Sequence, residues 1–218
     1  MLINLLAEDP LAFFLISIAL VFALVLHELG HAAAALYFGD DTAKRMGRLT
    51  LNPLAHLDPL GTLLLLFVGF GWAKPVPINP YRFKNYRLGL FVVSIAGIVV
   101  NLILAVLAMF ALKALYAYDP GAVVAAFRGE NSLLGSLALA LYYFGSLNLV
   151  LAVFNLLPIP PLDGSKILQS LLPLRFHRFL WQLEKYSWLS FLLIVTVLRE
   201  PIHQIIAYTQ RAFFDLFF

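Results

Sequence analysis

His27-Glu28-Leu29-Gly30-His31 has the form H-E-x-x-H. On a helix this spacing sets two imidazoles one turn apart on a single face. Both rings can then reach one Zn²⁺ at about 2.0–2.1 Å per nitrogen. Glu28, beside the first histidine, suits the general base that takes a proton from a water at the metal. The chemistry this points to is metal-assisted hydrolysis. The motif sits in an apolar run, Leu11 to Phe38, whose only charge is Glu28. A carboxylate and two imidazoles at membrane depth are costly and therefore mark function by default. The competing use of the same residues is a polar contact between helices.

The elements that must hold these residues belong to a membrane protein. Of the 218 residues, 62% are hydrophobic and 12% charged, whereas soluble domains carry about 25% charged residues. The expected fold is an all-α polytopic membrane protein, a single domain over 1–218, with any regulatory module supplied by a partner. Cysteine is absent, which excludes disulfides and thiolate ligands. A zinc site must then be built from histidine and carboxylate. No basic run points to nucleic acid. The first apolar segment has an acidic flank, Glu8 and Asp9, unlike the basic flank of a cleaved signal peptide.

Four to six membrane segments are expected, one of them partial. Leu11–Phe38 gives about 42 Å of helix, more than a hydrocarbon core of about 30 Å. Arg48-Leu49-Thr50-Leu51 reads as a short interfacial strand. Gly61 to Trp72 is apolar but short, which suits a re-entrant or partial helix. Lys74-Pro-Val-Pro-Ile-Asn-Pro80 cannot be helical, because its prolines remove donors and disfavour the preceding α conformation; it reads as an extended, β-like edge. Leu88–Tyr118 and Leu133–Leu157 are further spans. Between them Asp119-Pro120-Gly121 opens a loop that ends near Asn131. Pro158-Ile-Pro-Pro161 stops the third span, and Asp163-Gly164-Ser165 looks like the start of a new helix. Residues 166–187 look amphipathic and interfacial. A last apolar segment, Trp188–Leu198 with Ile202–Tyr208, is interrupted at Arg199-Glu200-Pro201.

Charge sets the expected sidedness. Lys44, Arg45, Arg48, Lys74, Arg82, Lys84 and Arg87 fall in the loop 40–87, and Lys166, Arg175, Arg178 and Lys185 in 158–187. The 119–132 loop carries only Arg128, against Asp119 and Glu130. By the positive-inside rule the first two loops face the cytoplasm. His27, His31 and Asp163 then lie toward the same, cytoplasmic side of a multi-pass cell-membrane protein.

Two separated motifs resemble the site-2 protease family of intramembrane zinc metalloproteases. One is His27-Glu28-Leu29-Gly30-His31. The other is Asn155-Leu-Leu-Pro158-Ile-Pro160-Pro161-Leu162-Asp163-Gly164, which matches the family pattern N-x-x-P-x-P-x-L-D-G at every fixed position. Ser94-Ile-Ala-Gly97-Ile-Val-Val-Asn101 is a weaker resemblance, and Trp72-Ala-Lys-Pro-Val-Pro looks like bacterial members. The resemblance implies one Zn²⁺ held by His27, His31 and Asp163, with Glu28 as base. It also implies cleavage of a transmembrane segment of another membrane protein. Asp163 is equally suited by type to cap the helix that follows it. Asn101 and Asn155 are intramembrane amides, suited to interhelical hydrogen bonds or to holding a substrate carbonyl or oxyanion. Val76 and Ile78 on the extended segment carry N–H groups that could pair with an unwound substrate. His56 is a loop histidine, more often solvated than a ligand. The rival readings are a membrane metal-ion transporter and a proteolytically inactive metal-binding protein.

Overall fold

The structure is a computed structural model that describes residues 2–68, 71–130 and 132–218. Its helices are α1 (Leu2–Glu8), α2 (Pro10–Tyr37), α3 (Thr42–Arg45), α4 (Pro59–Val68), α5 (Tyr86–Tyr118), α6 (Pro120–Phe127) and α7 (Leu133–Leu156). They continue as α8 (Asp163–Leu171), α9 (His177–Lys185), α10 (Ser187–Thr196) and α11 (Arg199–Phe214). Three of them, α2, α5 and α7, are long and apolar enough to cross a membrane. The segments Ser187–Ile194 and Arg199–Phe214, bent by 70° at the break between them, would together make a fourth crossing; Arg199-Glu200-Pro201, expected as an interruption, is the first turn of α11. The chain is an all-α polytopic membrane protein. Helix α4 has 10 residues, or about 15 Å, half of a hydrocarbon core of about 30 Å.

Local sequence sets the ends of the three spans. Asp9 caps α2 by accepting the Ala12 N–H, and Pro10 takes the first helical position, where its missing N–H costs nothing. Asn85 and Ser132 cap α5 and α7 through the N–H groups of Leu88 and Gly135. At the far end of α7, the proline run from Pro158 allows no further turn.

Helix α5 packs against both α2 and α7. Lipid tails are as apolar as the helices, so burial drives this association weakly and close packing must do it. Small residues permit the approach. Ala23 and Ala35 of α2, Ala105 of α5 and Ala138 and Ala152 of α7 are almost wholly buried. A Cβ on Gly30 would lie 3.2 Å from the Ala96 carbonyl oxygen. A second cluster, at the other end of the bundle, joins Ala108, Met109, Leu112, Val123 and Ala138 to Phe213, Phe214 and Phe217.

Three expectations are corrected. The 119–132 connection is largely helical: Asp119 accepts from the Ala122 N–H and Pro120 opens α6, so a sequence that looks like a turn is a helix start. Arg48-Leu49-Thr50-Leu51 forms bends instead of a strand. Its side chains bond to neighbouring backbone instead, the Arg48 guanidinium donating to the Lys74 carbonyl and Thr50 Oγ1 accepting the Asn52 N–H. The partial helix expected over 61–72 begins earlier, at Pro59. Residues 69 and 70 of that expectation lie outside the described residues. The proline-rich segment 74–79 is extended, and among the described residues its only β-like pairing is the neighbouring bridge between Leu57 and Ala73.

The C-terminal end of α2, the N-terminal end of α5 and the C-terminal end of α7 share one end of the bundle. The Lys84 N–H donates to the Phe38 carbonyl at 3.0 Å, and Asp163 meets α2 (below). The 128–130 turn lies at the opposite end. In this cysteine-free chain, Met46→Cys and Leu171→Cys, both exposed, should react with an impermeant maleimide from the same membrane face. Arg128→Cys should react from the other. Labelling of positions 46 and 171 from opposite faces would contradict the arrangement.

Candidate metal centre

His27 and His31 lie one turn apart on α2, both buried, with ring centroids 4.7 Å apart and planes at 83°. Each ring is oriented from behind. The Nδ1 of His31 is 2.6 Å from the Val93 carbonyl oxygen, which can only accept. The Nδ1 of His27 is 2.5 Å from Asn101 Oδ1. Asn101 donates its Nδ2 protons to Asn148 Oδ1 (2.7 Å) and the Ala23 carbonyl (3.3 Å), which leaves Oδ1 as acceptor. Both imidazoles therefore carry a proton on Nδ1 and turn Nε2 forward.

Those two nitrogens meet a carboxylate oxygen. Asp163 Oδ2 is 3.1 Å from His27 Nε2 and 3.0 Å from His31 Nε2, and the two Nε2 atoms are 3.1 Å apart. The Asp163 carboxyl is buried, and that burial opposes ionisation. His31 and His27 beside it outweigh this and hold the group well below the usual carboxylate range. Three ligand atoms thus converge within 3.1 Å of one another. A metal cation among them would bind all three at once. Two nitrogens and one oxygen fit catalytic zinc, for which two ligands at tetrahedral angles are about 3.3 Å apart. Among the described residues this is the one histidine and carboxylate group close enough to hold an ion.

Backbone geometry makes room for the site. Gly97 of α5 faces both rings: a Cβ there would lie 2.5 Å from His31 Nε2 and 2.6 Å from His27 Cε1. Gly164 plays the same part for Asp163, since a Cβ there would lie 2.3 Å from the Leu156 carbonyl oxygen and 2.4 Å from that of Leu157. Asp163 is the first residue of α8, and its side chain makes no cap bond. The capping alternative is thereby set aside: the carboxylate is turned onto the histidines.

The other candidates divide. Asn101 lies at the site but behind His27, as an orienting partner; metal ligands commonly have such partners. Its neighbour Asn148 donates to the Phe144 carbonyl and completes a buried amide chain that sequence reasoning missed. Asn155, on the last turn of α7, turns its amide back to the Leu151 carbonyl at 3.0 Å. Glu28 lies beside the centre, and its Oε2 accepts the Val76 N–H at 2.9 Å. Ile78 lies along the same extended segment, and its N–H has no partner among the described residues. His56 is fully buried away from the centre, with Nε2 2.8 Å from the Thr50 carbonyl.

A bundle of membrane-length helices with an H-E-x-x-H turn facing an aspartate from a later segment forms a candidate metal centre. The peptidase family M50 model matches residues 15–198. The putative zinc metalloprotease YwhC of Bacillus subtilis is 46% identical over 177 residues, covering 81% of this chain and 78% of that protein. The putative zinc metalloprotease Rip2 of Mycolicibacterium smegmatis is 31% identical over 209 residues, covering 94% and 71%. Rip2 of Mycobacterium tuberculosis is 34% identical, covering 79% and 62%. No solved structure matches at a comparable level of significance. The chain belongs to peptidase family M50, the site-2 protease family.

Gly97→Ala should drive a methyl group into both imidazoles and lower bound metal in purified protein. Asn101→Ala should weaken metal affinity by about 10–100-fold, as loss of an orienting partner does. Metal analysis and chelator competition would check both, and unchanged affinity in Asn101→Ala would remove Asn101 from the centre.

Proposed function

We propose that this chain is a zinc endopeptidase that cleaves within the transmembrane segments of other membrane proteins, with its centre toward the cytoplasmic face. The observation that carries the reading is the convergence of Asp163 on His27 and His31, beside Glu28 of the membrane-length helix α2. Family membership supports peptidase chemistry, and the names of the relatives support zinc. His27 lies ten residues from the end of α2, about 15 Å along the helix axis, a depth that favours substrates inside the bilayer.

His27, His31 and Asp163 would hold the ion, which when bound supplies Lewis-acid polarisation of a carbonyl and a more acidic water. Glu28 takes the proton of the attacking water and delivers it to the departing amine. Asn101 and Val93 keep the imidazoles in the metal-binding tautomer throughout. A substrate helix hides its carbonyls in i→i+4 bonds, so a few of its residues must become extended before attack. The Ile78 N–H on the segment 74–79 is a donor that such a strand could meet, and Asn155 is a candidate partner for its carbonyls. Lys44, Arg45, Arg82 and Lys84 cluster at this end of the bundle, and the positive-inside rule favours the cytoplasm there.

A reconstituted assay with a panel of single-span membrane proteins tests the reading. The wild type should cleave at least one of them. Glu28→Gln should lower turnover by about 10²–10⁴-fold, the usual contribution of a general base, while keeping one zinc per chain. Asp163→Ala should lose zinc and activity together. Zinc loss in Glu28→Gln matching that in Asp163→Ala would contradict the division of roles.

A further inference from the structure

Two buried charges lie outside the metal centre, and both fasten the segment 74–79. Asp40, just past the end of α2, is fully buried and forms no ion pair among the described residues. A buried carboxylate without a cation persists only where donors compensate it. Its Oδ1 accepts from the N–H and the hydroxyl of Thr42, and its Oδ2 accepts the Asn79 N–H at 2.6 Å. Arg48 is 6% exposed, and its Nη2 donates to the Lys74 carbonyl at 2.6 Å. The Lys74 N–H in turn donates to the carbonyl of the buried His56 at 2.8 Å. The segment is thus pinned at Lys74 and at Asn79.

Between the pins lies Pro75-Val76-Pro77. The flanking prolines fix φ and have no N–H, so Val76 carries the one donor among these three residues. That donor reaches Glu28 Oε2 at 2.9 Å. The Val76 side chain packs with Ala32, one turn beyond Glu28 on α2, and with Ala43. The other carboxylate oxygen, Oε1, has no hydrogen-bond partner among the described residues.

We propose that Asp40 and Arg48 are positioning residues of the reaction: through the segment 74–79 they hold the Val76 amide against Glu28 and fix the carboxylate's orientation. One oxygen is held by the protein and the other is left for the water. The proposal rests on the peptidase reading of Glu28. It predicts that loosening either pin misplaces the base without disturbing zinc. It also separates positioning from substrate holding, because a segment that only gripped substrate would act on KM.

The test uses the purified full chain in detergent or proteoliposomes, with a substrate that the wild type cleaves. Asp40→Ala should lower kcat by about 10–100-fold, as a small misplacement of a catalytic group does. KM should change less than kcat does, since a misplaced base acts only after substrate is bound. Zinc should remain at one per chain, and hydrogen exchange of the peptide covering 74–79 should quicken. Asp40→Asn keeps an acceptor for the Asn79 N–H and should recover most of the turnover. If Asp40→Ala does not fold, Arg48→Met at the other pin carries the same expectations. A raised KM with unchanged kcat would overturn the proposal in favour of substrate holding. Faster exchange with unchanged turnover would overturn it outright. A wild type that cleaves no substrate would instead strike the peptidase reading itself.

Discussion

Three ligand atoms directed at one point are the constraint on which the structure depends. His27 Nε2, His31 Nε2 and Asp163 Oδ2 lie 3.0–3.1 Å from one another. Such a cluster stands only if something holds each group in place. Holding comes from α5, which offers the Val93 carbonyl and the Asn101 amide to the two Nδ1 atoms. Space comes from Gly97 and Gly164, where a side chain would overlap the rings or the end of α7. Metal binding and helix packing are therefore coupled: two ligands come from α2 and the third from α8, and both helices pack against α5.

The two chemical groups at the centre are supported differently. The ligands are held by helices, whose packing in lipid is close and rigid. The base is held in part by an extended segment outside the spans. Glu28 belongs to α2, yet its Oε2 is bound to a loop amide whose position depends on Asp40 and Arg48. Metal affinity and the orientation of the proposed base can thus vary independently.

Much of this was legible in the chain. The ends of α2, α5 and α7 follow from caps, prolines and apolar length, all of which act locally. The H-E-x-x-H turn is also local, so its geometry follows from helix pitch. Asp163 is different. It stands 132 residues from His31, and an aspartate ahead of a glycine reads equally well as a cap. Only its family motif singled it out, and the fold decided between the two uses. Asp119-Pro120-Gly121 misled for a related reason, since residues that favour turns also begin helices. The Asn101–Asn148 chain and the Val76–Glu28 bond were not legible, because both join segments far apart in sequence through groups with many other possible partners. Gly97 could have been found from its spacing to Asn101, which puts both residues on the face of α5 that meets α2.

The most direct test of the central claim is zinc K-edge X-ray absorption on the purified protein loaded with one equivalent of metal. The arrangement predicts a first shell of four nitrogen or oxygen atoms at about 2.0–2.1 Å, with outer-shell scattering from two imidazoles. In Asp163→Ala that shell should change while the imidazole scattering persists. A shell without imidazole scattering, or one unaltered by Asp163→Ala, would contradict the centre described here.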